Sequence, residues 1–204
     1  RMLGDHILTE KDLLSGGNFP DAVAIGGWPM DDHPPGGFDE PDLPPNRTLP
    51  TPEVYGIPLR SLYSRNVANL MMAGRNISCS HVAFTSTRVM ATCAVAGQAV
   101  GMAAALCARY GLTPRLLASQ KGRVSELQQA LLRDDQTLKS TVNTDPRDLA
   151  REAGILASGH EEGAGPARII DGHVRDIPAA GGLQVHQWRA KIGSEGAWIE
   201  LRWP

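Results

Sequence analysis

Apolar residues in this chain fall into a few separated runs, each with its own period. Val67 to Met72 is short and almost wholly apolar, the pattern of a covered strand in an α/β sheet. Gly74 follows where the chain must turn sharply, and glycine does so without a Cβ penalty. After a polar loop, Ser78-Cys79-Ser80-His81, the spacing predicts a helix starting near Ser86 or Thr87, either of which can cap it. It runs to about Tyr110, stops at Gly111 and has Pro114 just beyond. Strand exit and helix start then converge, gathering free backbone N–H groups and the positive helix end at one spot suited to an anionic or oxygen-rich ligand. Gly97 and Gly101 sit inside this helix at roughly 1 kcal/mol each relative to alanine. Their presence implies close approach of a sheet or a bound cofactor to one face. The run is long enough to span a bilayer. However, Thr92 and Gln98 interrupt it and charged anchors do not bracket both ends, so no membrane span is expected.

The other segments read more simply. Thr9 is placed to cap a short helix over residues 9–14. Pro29 to Pro52 is rich in Pro, Gly and Asp and reads as mostly loop. It carries Asp31, Asp32, His33, Asp39, Glu40 and Asp42 without a recognised metal-ligand spacing, so solvated acids and no metal site are expected. Val124 to Leu138 is amphipathic, with Val124, Leu127, Leu131 and Leu132 on one face and Glu126, Gln128, Gln129 and Arg133 elsewhere. Thr141 to Asp148 is a polar linker. Beyond it, alternation through Trp198, Ile199, Glu200, Leu201 and Arg202 fits a half-buried strand.

At 204 residues the chain has room for one large or two small domains. A net charge of −2 with no basic stripe argues against nucleic acid as a partner. Three cysteines, Cys79, Cys93 and Cys107, do not make a disulfide framework.

Five sub-motifs carry a resemblance: Tyr55 to Leu62, Asn69 to Arg75, Ser80 to Phe84, Ser86 to Cys93, and Gly97 to Gly101. In this order and spacing they resemble the C-terminal half of FAD-dependent oxidoreductases of the glutathione-reductase-like superfamily. More narrowly, they look like the bacterial group related to fumarate reductase flavoproteins, over roughly residues 1 to 140. Phe19-Pro20-Asp21-Ala22 and Trp28-Pro29-Met30-Asp31-Asp32-His33 look like pieces of that family's substrate-facing region. The resemblance implies an FAD cofactor lined by Ala73, Gly74 and Arg75, with Ser80 and His81 near the isoalloxazine ring and Arg88, Thr92, Ala96 and Gly97 bordering it. It implies hydride transfer between flavin and a small organic substrate. The helix start at Ser86–Arg88 would stabilise the reduced flavin. His81 is the candidate acid/base or, equally, a positioning histidine, and His33 is a second catalytic candidate. Arg75 is left between pyrophosphate, a substrate acid and a plain surface turn, and Arg60 could reach the same pocket.

The Gly-x-Gly-x-x-Gly turn that binds the ADP half of FAD is missing. The glycine pairs at 16–17, 26–27, 36–37 and 181–182 do not follow a strand and open a helix. Together with a chain that begins at Arg1 inside an apparent strand (Met2 to Leu8), this leads us to expect an internal piece of a longer flavoenzyme that alone holds FAD weakly and is inactive.

From about Leu149, residues including Ala157-Ser158, Pro166 to Gly172, Arg175, Trp188 and Trp198 to Trp203 resemble the opening strands of a galactose-binding-like, discoidin-type β-sandwich. Arg168 and Arg189-Ala190 depart from that pattern. An open partial sheet leaves edges unpaired, so a poorly ordered tail, or one that borrows contacts, is expected. The fold class is therefore α/β: the C-terminal part of a Rossmann-like FAD/NAD(P)-binding fold with part of its substrate domain, plus an incomplete β-sandwich. The expected units are 1–65 (substrate region), 66–115 (last strand and helix of the FAD domain), 116–148 (amphipathic helix and linker) and 149–204 (sandwich). The partner expected is a small hydroxylated substrate, a sugar being suggested by the tail. The alternative is a non-catalytic protein that binds a glycan through that module.

Overall fold

The computed structural model describes residues 2–139, 141–179 and 182–204; Gly181, of the fourth glycine pair, lies outside them. Its first half is a small mixed core. Helix α1 (Glu10–Leu14) begins at Thr9, whose side chain accepts from the Asp12 amide while the Asp12 carboxylate accepts from the Thr9 amide. Strand β1 (Ala22–Gly26) pairs antiparallel with β4 (Tyr55–Pro58), with Ile25 opposite Gly56. Between them β2 (Met30–Asp32) and β3 (Arg47–Leu49) form a second antiparallel ribbon, so the predicted loop at 29–52 contains a hairpin. Gly17 (φ +54) approaches β4 so closely that a Cβ there would lie 2.4 Å from the Gly56 carbonyl oxygen.

Two expectations in the central motif are overturned. Val67 to Met72 is not a buried strand: Val67 and Leu70 are exposed, and only Met71 pairs, in a single bridge to Tyr63. The Ser64 hydroxyl accepts from the Asn66 and Val67 amides, and this local turn competes with extension. The helix does not start at Ser86 or Thr87 either. Helix α2 (His81–Thr87) starts five residues earlier, on Ser80, whose Oγ accepts from the Ala83 amide. Ser86 and Thr87 are buried inside it. The chain then breaks at Val89, which is extended, before α3 (Met90–Tyr110). Likewise Met2–Leu8 is not a strand; Leu8 makes one parallel bridge to Cys79.

Helix α3 ends as its pattern predicts, on Gly111 in the left-handed region (φ +62). It buries Ala96, Ala99 and Ala103 in the core with Val23, Ala24 and Ile57; small side chains let the helix lie close on β1. Gly97 and Gly101 face the other way. A Cβ at either would meet nothing within 4 Å, so no described part of the chain makes the close approach inferred for them. By length and composition α3 could cross a membrane, but one such helix is weak evidence and this one carries a core face. Helix α4 (Pro114–Ser119), capped by Thr113, leads to α5 (Lys121–Arg133). Val124, Leu127, Leu131 and Leu132 of α5 are buried as predicted. Gln128, placed on the polar side by its chemistry, is buried too: its amide donates to the Pro20 and Ala22 carbonyls.

Beyond the linker, β5 (Gly154–Ala157) pairs with β8 (Ile199–Arg202), whose alternating half-buried and exposed residues match the predicted strand. Strands β6 (Ile177–Ala179) and β7 (Gly182–Gln184) make a separate ribbon. Two facing sheets are not formed among the described residues, where every named ribbon is two-stranded and antiparallel. Few apolar residues of 149–204 are buried, Ala153 and Ala164 among them, and the segment borrows contacts from the linker: the Asn143 amide donates to the Gly172 carbonyl.

Candidate functional site

The site is organised by α2. Its position is set from beneath by a buried hydrogen-bond chain: the Tyr55 hydroxyl meets Ser86 Oγ, which donates to the Trp28 carbonyl. Burial pushes the Tyr55 phenol up to about 12, so it stays neutral. This chain ties α2 to β4 and to the entry of β2. The two ends of the helix then address consecutive acids of β2.

At the C-terminal end, the Arg88 guanidinium donates to Asp31 Oδ2 at 3.0 Å and lies 3.3 Å from His33 Nε2. His33 Nδ1 lies 2.8 Å from the Pro45 carbonyl oxygen. A carbonyl only accepts, so Nδ1 carries the proton and Nε2 is the bare nitrogen facing Arg88. Asn46 donates to the other Asp31 oxygen. Asp31 is thus not the solvated loop acid its loop-like sequence implies. Arg88 caps the end of α2 rather than opening a helix.

At the N-terminal end, His81 is 69% exposed and its Nε2 lies 3.1 Å from Asp32 Oδ1. His81 stands on the rim of a cleft of about 500 Å³ that Arg75, Asn76, Cys79 and Phe84 also line. Gly74 (φ +79) opens the tight turn Gly74–Asn76, following Ala73, and its α-carbon faces open space. The Arg75 guanidinium sits 5.4 Å from the centre of the Phe84 ring and has no acidic partner among the described residues. Its positive charge reaches Cys93 of α3, opposing the burial that pushes that thiol up. The glycine turn therefore packs beside the first turns of α3, an end with no side-chain cap and with Met90 exposed.

The residues predicted from sequence separate into three groups. Arg75 and His81 share the cleft, and Ser80 caps the helix that presents His81. Arg88 and His33 meet around Asp31. Thr92 and Ala96 point into the protein and are buried, whereas Gly97 is on the open side of α3. Arg60 does not reach this cleft: it makes a two-pronged pair with Asp21, both contacts 2.9 Å. Asn46 escaped sequence reasoning, and Asp31 and Asp32, placed by resemblance in a substrate-facing stretch, were expected as solvated loop acids with no named partners. The adjacent Asp31-Asp32 before His33 was the available signal, but only closure of the hairpin brings Asn46 to it.

A guanidinium with no acidic partner among the described residues and a helix end with no side-chain cap are donors suited to an anionic cofactor, and the open space at Gly74 leaves room beside them. These features belong to a protein of mixed helices and, among the described residues, small antiparallel sheets rather than to the parallel α/β sheet expected from the sequence. Residues 1–131 match the family model described as FAD dependent oxidoreductase, and the chain belongs to that family. Its cofactor is FAD. The match runs from the N-terminal region into α5 and stops before the linker. Comparisons with curated proteins and with solved structures return no match.

Proposed function

We propose that the cleft between the Gly74 turn and α2 faces the flavin and a small organic substrate in a glutathione-reductase-like oxidoreductase. The observation that carries the reading is the pairing of His81 with Asp32 on the rim of a cleft that also holds Arg75, which has no acidic partner among the described residues. The bound flavin supplies the hydride chemistry. Arg75, Gly74 and the start of α3 hold its anionic arm. His81 takes the proton from a substrate hydroxyl at Nδ1 or returns it, while Asp32 accepts from Nε2 and orients the ring. Arg88, pinned by Asp31 and His33, keeps α2 in place and presents positive charge along it.

The test is single-turnover flavin reduction in the FAD-loaded protein. A His81→Ala substitution is expected to slow reduction by about 10²-fold or more, and Asp32→Asn is expected to slow it less, because the base remains and only its orientation is loosened. Unchanged rates in both variants would remove both residues from the mechanism.

A second reading concerns residues 149–204. Trp198 and Trp203 flank β8 with half-exposed rings, flat apolar surfaces with a polar edge of the kind that meets wet partners. On this reading the module binds glycan, and retention on immobilised polysaccharide should fall when both tryptophans are replaced by alanine.

A further inference from the structure

Outside the cleft at His81, a cluster of titratable groups lies in the C-terminal segment. The rings of His173 and His186 are stacked, centroids 3.8 Å apart and planes 26° from parallel. His186 Nδ1 lies 2.7 Å from Asp171 Oδ2, so the proton is on Nδ1 and the bond is given to the carboxylate. The side chain of His186 is only 9% exposed, and its Nε2 is buried with no hydrogen-bond partner among the described residues. A second proton on this ring would thus put an N–H where no described group accepts it.

His173 is no better placed to take the charge. It packs face to face on the other imidazole, and burial, then the neighbouring His186, hold it below the ordinary imidazole range. Asp171 opposes this, but it already accepts from the His173 amide and from His186, and Arg168 stands 3.9 Å away. Asp176 is committed elsewhere, to the His186 amide, Gln187 and Arg189. Across the cleft from His173 stand Arg133 and Arg147, both bound to Asp145. Asp148 is taken by Asn143 and the Ala150 amide, and Asp135 lines the same cleft without acting on His173.

The stack is mechanically connected to the rest of the protein. Gly172 (φ +86) lies between the two segments, and a Cβ there would fall 2.6 Å from Val142 Cγ1 and 2.9 Å from the Asn143 carbonyl oxygen. The Asn143 amide donates to the Gly172 carbonyl at 3.0 Å, and Arg151 donates to the Asn143 carbonyl at 2.7 Å. Any movement of His173 is therefore felt at the linker behind α5.

We propose that the His173–His186 stack is an acid-operated latch: when His173 takes up a proton the two rings part and Gly172 is freed from the linker at Asn143. The sign follows from linkage. The unfolded chain binds a proton at His173 more readily than the closed latch does, so closure is complete above about pH 6.5 and weakens as pH falls below that value.

Amide hydrogen exchange on the whole chain at pH 7.5 and pH 5, corrected for the intrinsic rate, tests it. Protection at Asn143, His173 and His186 should fall by about tenfold at the lower pH while amides in the middle of α3 hold. In a His173→Phe variant, which keeps an aromatic ring and cannot be protonated, protection should survive at pH 5. Equal loss in the variant, or no loss in the wild-type protein, overturns the proposal. The wild-type protein gives an independent reading through the imidazole proton resonances. Ring titration and amide loss should share a midpoint, and rings that titrate with protection intact overturn the proposal as well. None of these outcomes bears on flavin reduction at His81, so the two proposals stand or fall separately.

Discussion

Gly17 and Gly74 both lie in the left-handed region, at φ +54 and +79, yet they are left-handed for different reasons. At Gly74 a Cβ would meet nothing within 4 Å, so Gly74→Ala should cost only the backbone term, about 1 kcal/mol. At Gly17 the added carbon would fall 2.4 Å from one Gly56 backbone atom and 2.7 Å from another, so the turn must move. There Gly17→Ala should cost about 3 kcal/mol or more by urea unfolding. Equal losses would mean that the turn does not press on β4. Sequence reasoning marked Gly74 as a bend but saw Gly17 only as one of a glycine pair. Its crowding depends on a strand nearly forty residues away.

Elements were legible where their determinants are local. Thr9 with Asp12 three positions on is a capping signature that needs no knowledge of the rest of the fold. Thr9→Ala should lower stability by about 1 kcal/mol, measured as a shift in the urea midpoint with unchanged slope. The end of α3 at Gly111 and the buried face of α5 were equally readable. The break between α2 and α3 was not. Its residues favour continued helix, and the competing interactions are distant: Asp31 takes Arg88, and Trp28 takes Ser86. Val67 to Met72 failed in the opposite sense. Its apolar composition promised a strand, but a serine-capped turn uses its amides locally.

At the scale of the whole molecule, the Asp21–Arg60 pair outside the site also exists only through tertiary structure. Asp21 is buried, its side chain 6% exposed, and accepts from the Arg60 guanidinium and amide. Arg60→Met should cost about 3 kcal/mol, because a carboxylate is left buried without its cation. Adding Asp21→Leu should recover much of that loss, and a double variant no more stable than the single one would show that the pair is not acting as an ion pair. Sequence alone determined the capped short helix and the end of the long alanine-rich helix at its glycine, and by resemblance it pointed to the FAD-dependent oxidoreductase family. The helix signals are written in neighbouring residues, through capping and spacing. Only the tertiary structure decided that Asp31 meets Arg88 and Asp32 meets His81, that Arg60 pairs with Asp21 instead, and that Ala96 faces the core while Gly97 faces outward. Those outcomes rest on contacts between segments tens of residues apart, and their energies exist only once the hairpin and helices have packed.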